Sequence, residues 1–495
     1  MNHPQPAHTS PKTVVMKFGG TSVGTPQAVN QVVEIVQQAR LEWPRVVVIT
    51  SALANVTNTL LECATQAAQG QIQSLAENEE RLRAMHYSIA EALVDGQAEI
   101  AKVKWELDAL IADFGNLCRA INVLGEATPR ALDAVASLGE RMSVRILSAA
   151  LQAKGTPAQF IEATQLITTD IRFQNAHPNL PATREKVHAV LEPILSLGIV
   201  PVITGFIAAT ANGVITTLGR GGSDYTAGIL GAVLPADEVW IWTDVDGVMS
   251  ADPRMVPNAK TIPEITYREI AELAYFGAKV LHPKTIRPVV DAGLANERLG
   301  KVGIGLRICN TFNPHHPGTR LVSDSPGKNG NGNHAKDIAK AVTAIRGQSL
   351  VTIEGRGMLG VPGVAARTFA AVASTGTSVT LISQASSEQS ICFAIPFEAS
   401  SCVLDALEKT FAVELVDRDI DSIWATEETA IITVVGAGMI HTPGVAGKIF
   451  TALGEKGVNV IAIAQGSSEV SISLMVTSQD TEEGVKAVHE LIVNT

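Results

Sequence analysis

The sequence predicts an α/β protein with a mainly parallel central sheet, followed by two smaller α+β modules. Three observations support this prediction. Short, nearly continuous apolar segments alternate with helical patterns over residues 13–322, as in a parallel sheet covered by helices on both faces. A segment rich in glycine, asparagine and serine interrupts this pattern at residues 323–333. Beyond it, the sequence repeats itself at a constant offset of 81 residues.

The composition argues for a large protein without a membrane or nucleic-acid partner. A chain of 495 residues suffices for roughly two to four domains with their own cores. No apolar run reaches the ~18 residues of a membrane-spanning helix, and the N-terminus does not resemble a signal peptide. The net charge of −11 argues against binding to nucleic acid or anionic membranes. Five cysteines without C-x-x-C spacing predict reduced thiols in a cytoplasmic protein and no zinc site.

The apolar segments at residues 46–49, 199–203 and 239–242 have the character of buried parallel strands. Residues 58–125 are rich in alanine, leucine, glutamate and glutamine, which predicts a helical insertion over one edge of the sheet. Residues 1–12 are expected to form a disordered lead. The first domain is therefore predicted to occupy residues 13–322.

The repeated part of the chain predicts two intertwined modules, at residues 338–420 and 425–495, after a linker at 323–337. Each copy follows the pattern βαββα and lacks the last strand of a four-stranded βαββαβ sheet. In the first copy we expect residues 413–416 to supply that strand. The second copy has no residues left for it, so we expect residues 341–345, ahead of the first copy, to pair with the second.

A lysine and two glycines follow the first predicted strand. The turn that contains Lys17, Gly19 and Gly20 follows an apolar segment and precedes a predicted helix. Thr25 is the expected N-cap of that helix, and a proline follows it at the first helical position. At such a turn, backbone N–H groups and the helix N-terminus bind phosphate oxygens, while an ammonium group reaches the outer phosphates. The lysine precedes the glycines, so this is not a Walker A loop. An ordinary tight turn is the alternative interpretation.

Two further segments favour phosphate binding. Residues 219–224 form a glycine-rich turn before an alanine-rich helix, and they include Arg220 and Asp224. Arginine binds a carboxylate or phosphate through two parallel hydrogen bonds, and an aspartate can hold an ammonium group or orient a lysine. An Arg–Asp pair that caps the helix is the structural alternative. Residues 243–247 leave the end of an apolar strand, which is where open α/β sheets bind their ligands.

Three more parts of the sequence contribute polar or charged candidates for a ligand site. Residues 51–57 place hydroxyl groups after the predicted strand that ends at Thr50. Glu140 is predicted at a helix start, where a carboxylate is also a simple partner of the helix dipole. Lys279 is a second candidate cation for phosphate, or alternatively a surface lysine on a helix.

Together these motifs resemble those of the aspartate kinases in the amino-acid kinase superfamily. The resemblance rests on the order and spacing of residues 17–22, 51–58, 138–140, 219–224, 243–247, 252–254 and 276–283. The repeated modules resemble ACT regulatory domains. The kinase portion of the bifunctional aspartate kinase–homoserine dehydrogenases shows the most similar pattern. The resemblance implies an amino-acid-kinase sandwich followed by two ferredoxin-like ACT domains.

The resemblance further implies transfer of the γ-phosphoryl group of ATP, with Mg²⁺, to the β-carboxylate of L-aspartate. This reaction gives 4-phospho-L-aspartate, the first step of lysine, threonine, methionine and isoleucine biosynthesis. Because an aspartate side chain with a pKa of ~3.9 is already ionised at neutral pH, the reaction needs charge neutralisation and no general base. Mg²⁺ is expected mainly on phosphate oxygens and water, so no protein metal site is predicted.

Roles for individual residues come from the same resemblance. The implied catalytic residues are Lys17, Asp224 and Lys279. The implied substrate-binding residues are Ser51, Thr57, Glu140, Arg220 and Ser223, with Arg220 on the α-carboxylate of aspartate and Glu140 on its ammonium group. The implied nucleotide-binding residues are Lys17, Phe18, Gly19, Gly20, Thr243, Asp244, Arg254 and Lys279.

The ACT-like modules are expected to bind an amino acid that inhibits the enzyme. Gln384 and Gln465, at matching strand ends, suit the hydroxyl of threonine, and the threonine-sensitive bifunctional relatives share these glutamines. Lysine, with Glu388 and Glu469 as partners, is the alternative effector. The residues expected to contact the effector are Gly363, Val364, Gln384, Gly444, Val445 and Gln465.

Two alternative functions stay open at this point. One is a related amino-acid kinase that phosphorylates another substrate, such as glutamate, acetylglutamate or a nucleoside monophosphate. The other is a catalytically silent amino-acid sensor, against which the complete set of candidate catalytic residues argues. Because ACT-type modules generally pair edge to edge, a homodimer or larger assembly is also expected.

Overall fold

The computed structural model describes residues 11–234, 236–278, 281–298, 303–322, 338–358, 361–384 and 389–493. Among the sequence predictions, most of the N-terminal lead, the linker at 323–337, Lys279 and Glu388 lie outside these residues. In the part of the chain that is described, no helix is long and apolar enough to cross a membrane.

Strands and helices alternate along most of the chain. The strands are β1 (Thr13–Phe18), β2 (Arg45–Thr50), β3 (Ala158–Ile161), β4 (Thr168–Thr169), β5 (Val200–Thr204), β6 (Ile207–Thr210), β7 (Ile215–Thr217), β8 (Glu238–Thr243), β9 (Glu264–Thr266), β10 (Gly305–Asn310), β11 (Thr319–Val322), β12 (Ala341–Glu354), β13 (Leu381–Gln384), β14 (Ser390–Pro396), β15 (Ser422–Ala425), β16 (Thr429–Val435), β17 (Ala462–Gln465) and β18 (Ser471–Thr477). The helices are α1 (Pro26–Glu42), α2 (Val56–Ala68), α3 (Leu75–Leu93), α4 (Gln97–Leu124), α5 (Pro129–Ala153), α6 (Leu180–Ser196), α7 (Gly222–Val233), α8 (Tyr267–Tyr275), α9 (Pro283–Arg298), α10 (Val364–Ser374), α11 (Ser400–Thr410), α12 (Ala412–Asp417), α13 (Val445–Glu455) and α14 (Thr481–Val493).

The described residues form two compact units. The first unit contains those within 1–248, 263–265 and 281–323, and the second contains those within 249–262, 266–280 and 324–495. The second unit thus takes two segments from the sequence region predicted to be the first domain. Ala251 and Val256 lie in the same apolar core as Val434 and Val488, which explains why the first of these segments belongs there.

The first unit is built on the predicted parallel sheet, whose strand order is β3-β5-β2-β1-β8-β10-β11-β9. The pairs from β3 to β10 are parallel, and β10 and β11 are antiparallel. In this register Phe18 lies opposite both Thr50 and Trp242, so the carboxyl ends of β2, β1 and β8 meet at one edge. The segments that follow these strands are therefore neighbours.

The helices of the first unit confirm that residues 58–125 are mostly helical and correct one helix boundary. Helices α2, α3 and α4 cover most of residues 58–125, as predicted. Helix α5 begins at Pro129, where the Thr128 side chain accepts a hydrogen bond from the N–H of Ala131. Glu140 therefore lies in the middle of α5. The prediction that it occupies a helix start was wrong, because the cap–proline signal lies eleven residues earlier in the sequence.

The second unit contains the two repeated modules in one antiparallel sheet of order β13-β14-β12-β16-β18-β17, with β15 also paired to β12. Strand β12 belongs to both modules. Its residues 341–345 pair with β16 of the second module, and its residues 348–354 pair with β14 of the first. This confirms that residues 341–345 are lent to the second module and that the modules are intertwined.

The predicted last strand of the first module was wrong. Residues 413–416 lie in helix α12, and β15 (Ser422–Ala425) pairs with β12 in their place. Phe411 is fully buried and Leu415 packs on the same core, whereas Val413 and Val416 are exposed. A spacing of four residues between the buried positions is helical, so these apolar residues do not follow the alternation of a strand.

Helix α8 is bound to the sheet of the second unit through a buried carboxylate. Glu269 is fully buried, forms an ion pair with Lys340 at 3.0 Å and accepts a hydrogen bond from the N–H of Ala437 at 2.6 Å. It also completes a capping box with Thr266 at the start of α8. These contacts explain why a helix inside the sequence region predicted to be the first domain belongs to the second unit.

Candidate active site

Lys17 and Asp224 form an ion pair in the first unit. Lys17 lies near the end of β1, and Asp224 lies in the first turn of α7. The Lys17 Nζ is 2.6 Å from the Asp224 Oδ1, and both side chains are largely buried. Two of the three predicted catalytic residues are therefore in direct contact, and the third, Lys279, lies outside the described residues.

A cavity of about 530 Å³ opens next to this pair. Its walls come from β1, the loop after β2, helices α2 and α5, and the turn before α7. The structure brings together here the predicted residues Lys17, Ser51, Thr57, Glu140, Arg220, Ser223 and Asp224. A hydroxyl-lined cavity with two cationic and two acidic predicted residues can hold a small zwitterion that carries an extra carboxylate.

Glu140 contributes an unpartnered carboxylate oxygen to the cavity. The residue is 3% exposed, and its Oε2 has no hydrogen-bond partner within the described chain. Burial raises the pKa of this carboxyl to about 8, although a hydrogen bond from the Ala52 backbone acts in the opposite direction. A buried acceptor of this kind is costly unless a ligand satisfies it.

The Arg220 turn depends on glycines for its shape. Gly219 and Gly221 have φ values of +80° and +69°, and Gly221 is the N-cap of α7. A side-chain carbon at Gly222 would lie 2.5 Å from the Phe206 ring. Arg220 itself is exposed at the cavity. Partial burial lowers the pKa of His282, and the positive charge of Arg220 lowers it further.

The lysine–glycine turn is tighter than the sequence suggests. The Gly19 N–H donates to the Trp242 carbonyl at 3.2 Å, which ties the turn to the end of β8. A side-chain carbon at Gly20 would lie 2.9 Å from the Ala52 carbonyl oxygen, so only glycine allows this approach. Phe18 is fully buried and stacks on Trp242, with ring centroids 5.8 Å apart, so its side chain supports the turn from the core.

The predicted nucleotide loop follows β8 in the first unit. Thr243 donates to Asp244 at 3.2 Å, and Asp246 accepts hydrogen bonds from the side-chain amides of Asn310 and Asn313 at 2.8 and 3.0 Å. These contacts fix the loop beside the end of β10. Arg254 belongs to the second unit, where its guanidinium pairs with Asp252.

Asp133, Gln174 and Phe206 are among the cavity residues that sequence reasoning missed. Asp133 is 1% exposed and accepts hydrogen bonds from Gln174 and Thr217, while Gln174 and Phe206 adopt left-handed conformations with φ of +67° and +64°. Strained residues of this type are enriched at binding sites. The signal for Asp133 was its position seven residues before Glu140, two turns away on one helix face. For Gln174 and Phe206 the sequence carries no signal.

The predicted effector residues occupy equivalent positions in the two modules. Gly363 (φ +94°) and Gly444 (φ +83°) are the N-caps of α10 and α13, which begin at Val364 and Val445. Gln384 and Gln465 are both exposed, and each ends the second strand of its module, β13 and β17 respectively. The second-module carboxylate Glu469 accepts a hydrogen bond from the His441 N–H at 2.8 Å.

Metal ligation by the protein alone finds no support among the described residues, in which no three His, Cys, Asp or Glu side chains are grouped as ligands. Mg²⁺ commonly binds through one or two carboxylates together with substrate phosphates and water. The carboxylate of Asp224 beside the cavity fits that mode of binding.

Comparison with known proteins places these features in a family. Residues 12–295 match the model of the amino acid kinase family, and residues 351–411 and 432–491 each match an ACT domain. The chain is 36% identical over 476 residues to the bifunctional aspartokinase/homoserine dehydrogenase 1 of Zea mays, with coverage of 96% of this chain and 50% of the relative. It is 33% identical to aspartokinase 2 of Arabidopsis thaliana, with coverage of 98% and 85%.

The fold is also similar to solved structures. The crystal structure of E. coli aspartokinase III in complex with aspartate and ADP matches with a TM-score of 0.76 at 30% identity, covering 97% of this chain and 99% of that one. A second structure of that enzyme, in complex with lysine and aspartate, matches with a TM-score of 0.75 and the same identity and coverage. The chain spans about half the length of the bifunctional relatives that it matches.

Proposed function

Because the chain belongs to the amino acid kinase family, and within it to the aspartokinases, we propose that it phosphorylates the β-carboxylate of L-aspartate with ATP. The product is 4-phospho-L-aspartate, from which lysine, threonine, methionine and isoleucine are made. The observation that carries this proposal is the cavity that holds the Lys17–Asp224 pair, Arg220 and the unpartnered Glu140 oxygen. These groups complement the charges of aspartate and of a transferring phosphoryl group.

The reaction brings two anions together, so its main requirement is the neutralisation of negative charge. Lys17 supplies a cation next to the cavity, and its contact with Asp224 fixes the direction of its ammonium group. Lys279 is proposed to act as a second cation. Magnesium bound to the nucleotide phosphates would supply further positive charge, with Asp224 as the proposed protein carboxylate beside it.

We assign recognition of the aspartate backbone groups to Arg220 and Glu140, which carry opposite charges on the cavity wall. We assign the α-carboxylate of aspartate to Arg220, whose planar guanidinium forms two parallel hydrogen bonds with a carboxylate. The ammonium group is assigned to the Glu140 Oε2, which is buried and otherwise unpartnered. Hydroxyl groups from Ser51, Thr57 and Ser223 line the same cavity and complete the polar contacts.

The nucleotide is assigned to the carboxyl ends of β1 and β8. The turn at Gly19 and Gly20 and the loop at Thr243 and Asp244 follow these neighbouring strands. Ligands of open α/β sheets bind at such strand ends. The neighbouring solved structure that contains ADP supports a nucleotide of this type. Arg254 is kept as a proposed nucleotide contact.

Regulation by an amino acid is proposed for the two ACT domains, with threonine as the favoured effector. The exposed amides of Gln384 and Gln465 suit a hydroxyl group. The solved aspartokinase III complex with lysine supports the alternative effector. In the second module, however, the Glu469 carboxylate that would bind a lysine side chain already accepts a hydrogen bond from His441. We also propose a homodimer or larger assembly through these domains and a cytoplasmic location.

The direct test is an assay of the purified protein with Mg-ATP and L-aspartate, in which hydroxylamine traps the acyl phosphate as a hydroxamate. A panel with glutamate, acetylglutamate and nucleoside monophosphates in place of aspartate separates the proposed enzyme from related kinases. Product formation that requires aspartate supports the proposal. Product with another acceptor only, or ATP turnover that ignores aspartate, would overturn it.

A further inference from the structure

The Asp133 carboxylate connects three segments that are far apart in the sequence. Its Oδ1 accepts hydrogen bonds from the Thr217 hydroxyl at 2.7 Å and the Gln174 N–H at 3.1 Å. Its Oδ2 accepts from the Thr217 N–H at 3.0 Å and from the same Gln174 N–H at 3.0 Å. Helix α5 is thereby joined to the turn at Gln174 and to the end of β7.

These contacts leave little capacity for a ligand, although Asp133 lies on the cavity wall. A carboxylate has about four lone-pair sites, and four contacts occupy them here. Burial raises the pKa of Asp133, while its hydrogen bonds to Gln174 and Thr217 lower it. The buried oxygens therefore hold the protein backbone and are not oriented toward a substrate.

The backbone that Asp133 holds lies directly under the Arg220 turn. Gln174 adopts a left-handed conformation, which a non-glycine residue keeps only when its surroundings enforce it. A side-chain carbon at Gly219 would lie 2.9 Å from the Gln174 carbonyl oxygen, so the two turns are in close contact. Thr217 precedes Arg220 by only three residues. The Asp133 carboxylate therefore binds both the Gln174 turn, which contacts the Arg220 turn, and the end of β7, which leads into it.

We infer that Asp133 is a positioning residue for the substrate pocket, which acts by fixing the Gln174 turn and the end of β7 and thereby the direction in which Arg220 enters the cavity. This inference rests on the proposed function, because it assigns the arginine to the substrate carboxylate. It predicts that loss of the Asp133 contacts weakens binding of the amino-acid substrate and leaves the nucleotide unaffected.

The test compares three variants by their KM for aspartate, KM for ATP, kcat and melting temperature. Asp133→Asn replaces one acceptor by an amide NH₂ that faces N–H donors. Thr217→Val removes the hydroxyl donor to Asp133 and keeps the shape of a side chain that also lines the cavity. Thr216→Val is the matched control, because Thr216 is an adjacent, fully buried threonine whose hydroxyl bonds to Thr169 on another strand.

We expect Thr217→Val to raise the aspartate KM roughly twofold to tenfold, as for the loss of one hydrogen bond, and Asp133→Asn to raise it further. The KM for ATP should stay within about twofold of wild type, and Thr216→Val should leave both KM values unchanged. A common rise of both KM values, or a lower melting temperature with an unchanged aspartate KM, would show that Asp133 is only a core residue and would overturn the inference.

Failure of this inference can be distinguished from failure of the proposed function in two ways. If the wild type phosphorylates another acceptor from the panel, the same comparison is made with that acceptor. If Asp133→Asn does not fold, Thr217→Val against Thr216→Val decides alone. The rise in melting temperature that L-aspartate produces should follow the same ranking, and this measurement requires no turnover.

Discussion

The Lys17 Nζ lies 2.6 Å from the Asp224 Oδ1, although 207 residues separate the two positions in the sequence. The pair joins the end of β1 to the first turn of α7 and lies on the wall of the cavity. An ammonium group held in this way is ready to meet developing negative charge without reorganisation, which is the main contribution expected of it.

Replacement of Lys17 by alanine should lower kcat roughly a hundredfold to a thousandfold, with much smaller changes in both KM values. The reason is that the charge neutralised by Lys17 is greatest in the transition state. Steady-state kinetics with Mg-ATP and L-aspartate provide the measurement. Lys17→Met, which keeps the apolar stem, is the matched control and should lose the same rate. A Lys17→Met enzyme with wild-type kcat would contradict the assigned role.

Arg220→Ala should raise the KM for aspartate roughly tenfold to a hundredfold, because a charged hydrogen bond to the α-carboxylate contributes about 1.5–3 kcal/mol already in the ground state. The KM for ATP should change little. Arg172→Ala, which removes another exposed arginine of the first unit, is the control and should behave as wild type. An unchanged aspartate KM in the Arg220→Ala enzyme would rule out this contact.

The kcat/KM for aspartate should rise as the pH increases from 6.5, with its midpoint at about 8, and level off about one pH unit higher. Glu140 has a pKa of about 8, and only its ionised form attracts the substrate ammonium group. The kcat/KM for ATP, measured in the same buffers, serves as the reference. Glu140→Gln should bind aspartate more weakly and lose this ionisation. If the Gln variant kept the same pH profile, another group would have to be responsible.

Glu140→Gln should also raise the melting temperature, and more at pH 8 than at pH 6. Burial raises the pKa of Glu140 in the folded state from 4.5 to about 8, so between these values the folded protein binds a proton that the unfolded chain releases. Stability from this group therefore falls as the pH rises through this window. We expect a gain on the order of a few degrees by differential scanning calorimetry. An equal gain at both pH values would contradict the pKa shift.

Gln465→Ala or Gln384→Ala should leave uninhibited activity intact and raise the threonine concentration needed for half-inhibition roughly tenfold to a hundredfold. The expected loss is that of one discriminating hydrogen bond, ~1–3 kcal/mol. Gln479→Ala, at an exposed turn after β18, is the matched control. Titration of the wild type with threonine and with lysine comes first. Inhibition by lysine alone would show that the effector assignment is wrong.

Much of the fold follows from local patterns in the sequence. Continuous apolar segments such as residues 46–49 identified buried parallel strands, because such strands are covered on both faces. The offset of 81 residues identified two modules, and the missing strand of the second identified residues 341–345 as its partner. The lysine–glycine and Arg220 turns were found because glycines and charges at strand ends are recognisable without any long-range information.

The sequence by itself thus determined the parallel sheet, the repeated modules and the segments that approach the candidate site. Only the tertiary structure decided which polar atoms meet there. Asp133 and Thr217 are 84 residues apart, and nothing in either local sequence indicates the partner. The local sequence also did not indicate that residues 413–416 are helical. They form a helix because Phe411 and Leu415 pack in the same core. Periodicity is a property of neighbouring residues, whereas burial and hydrogen bonding of a given side chain depend on segments that only folding brings together.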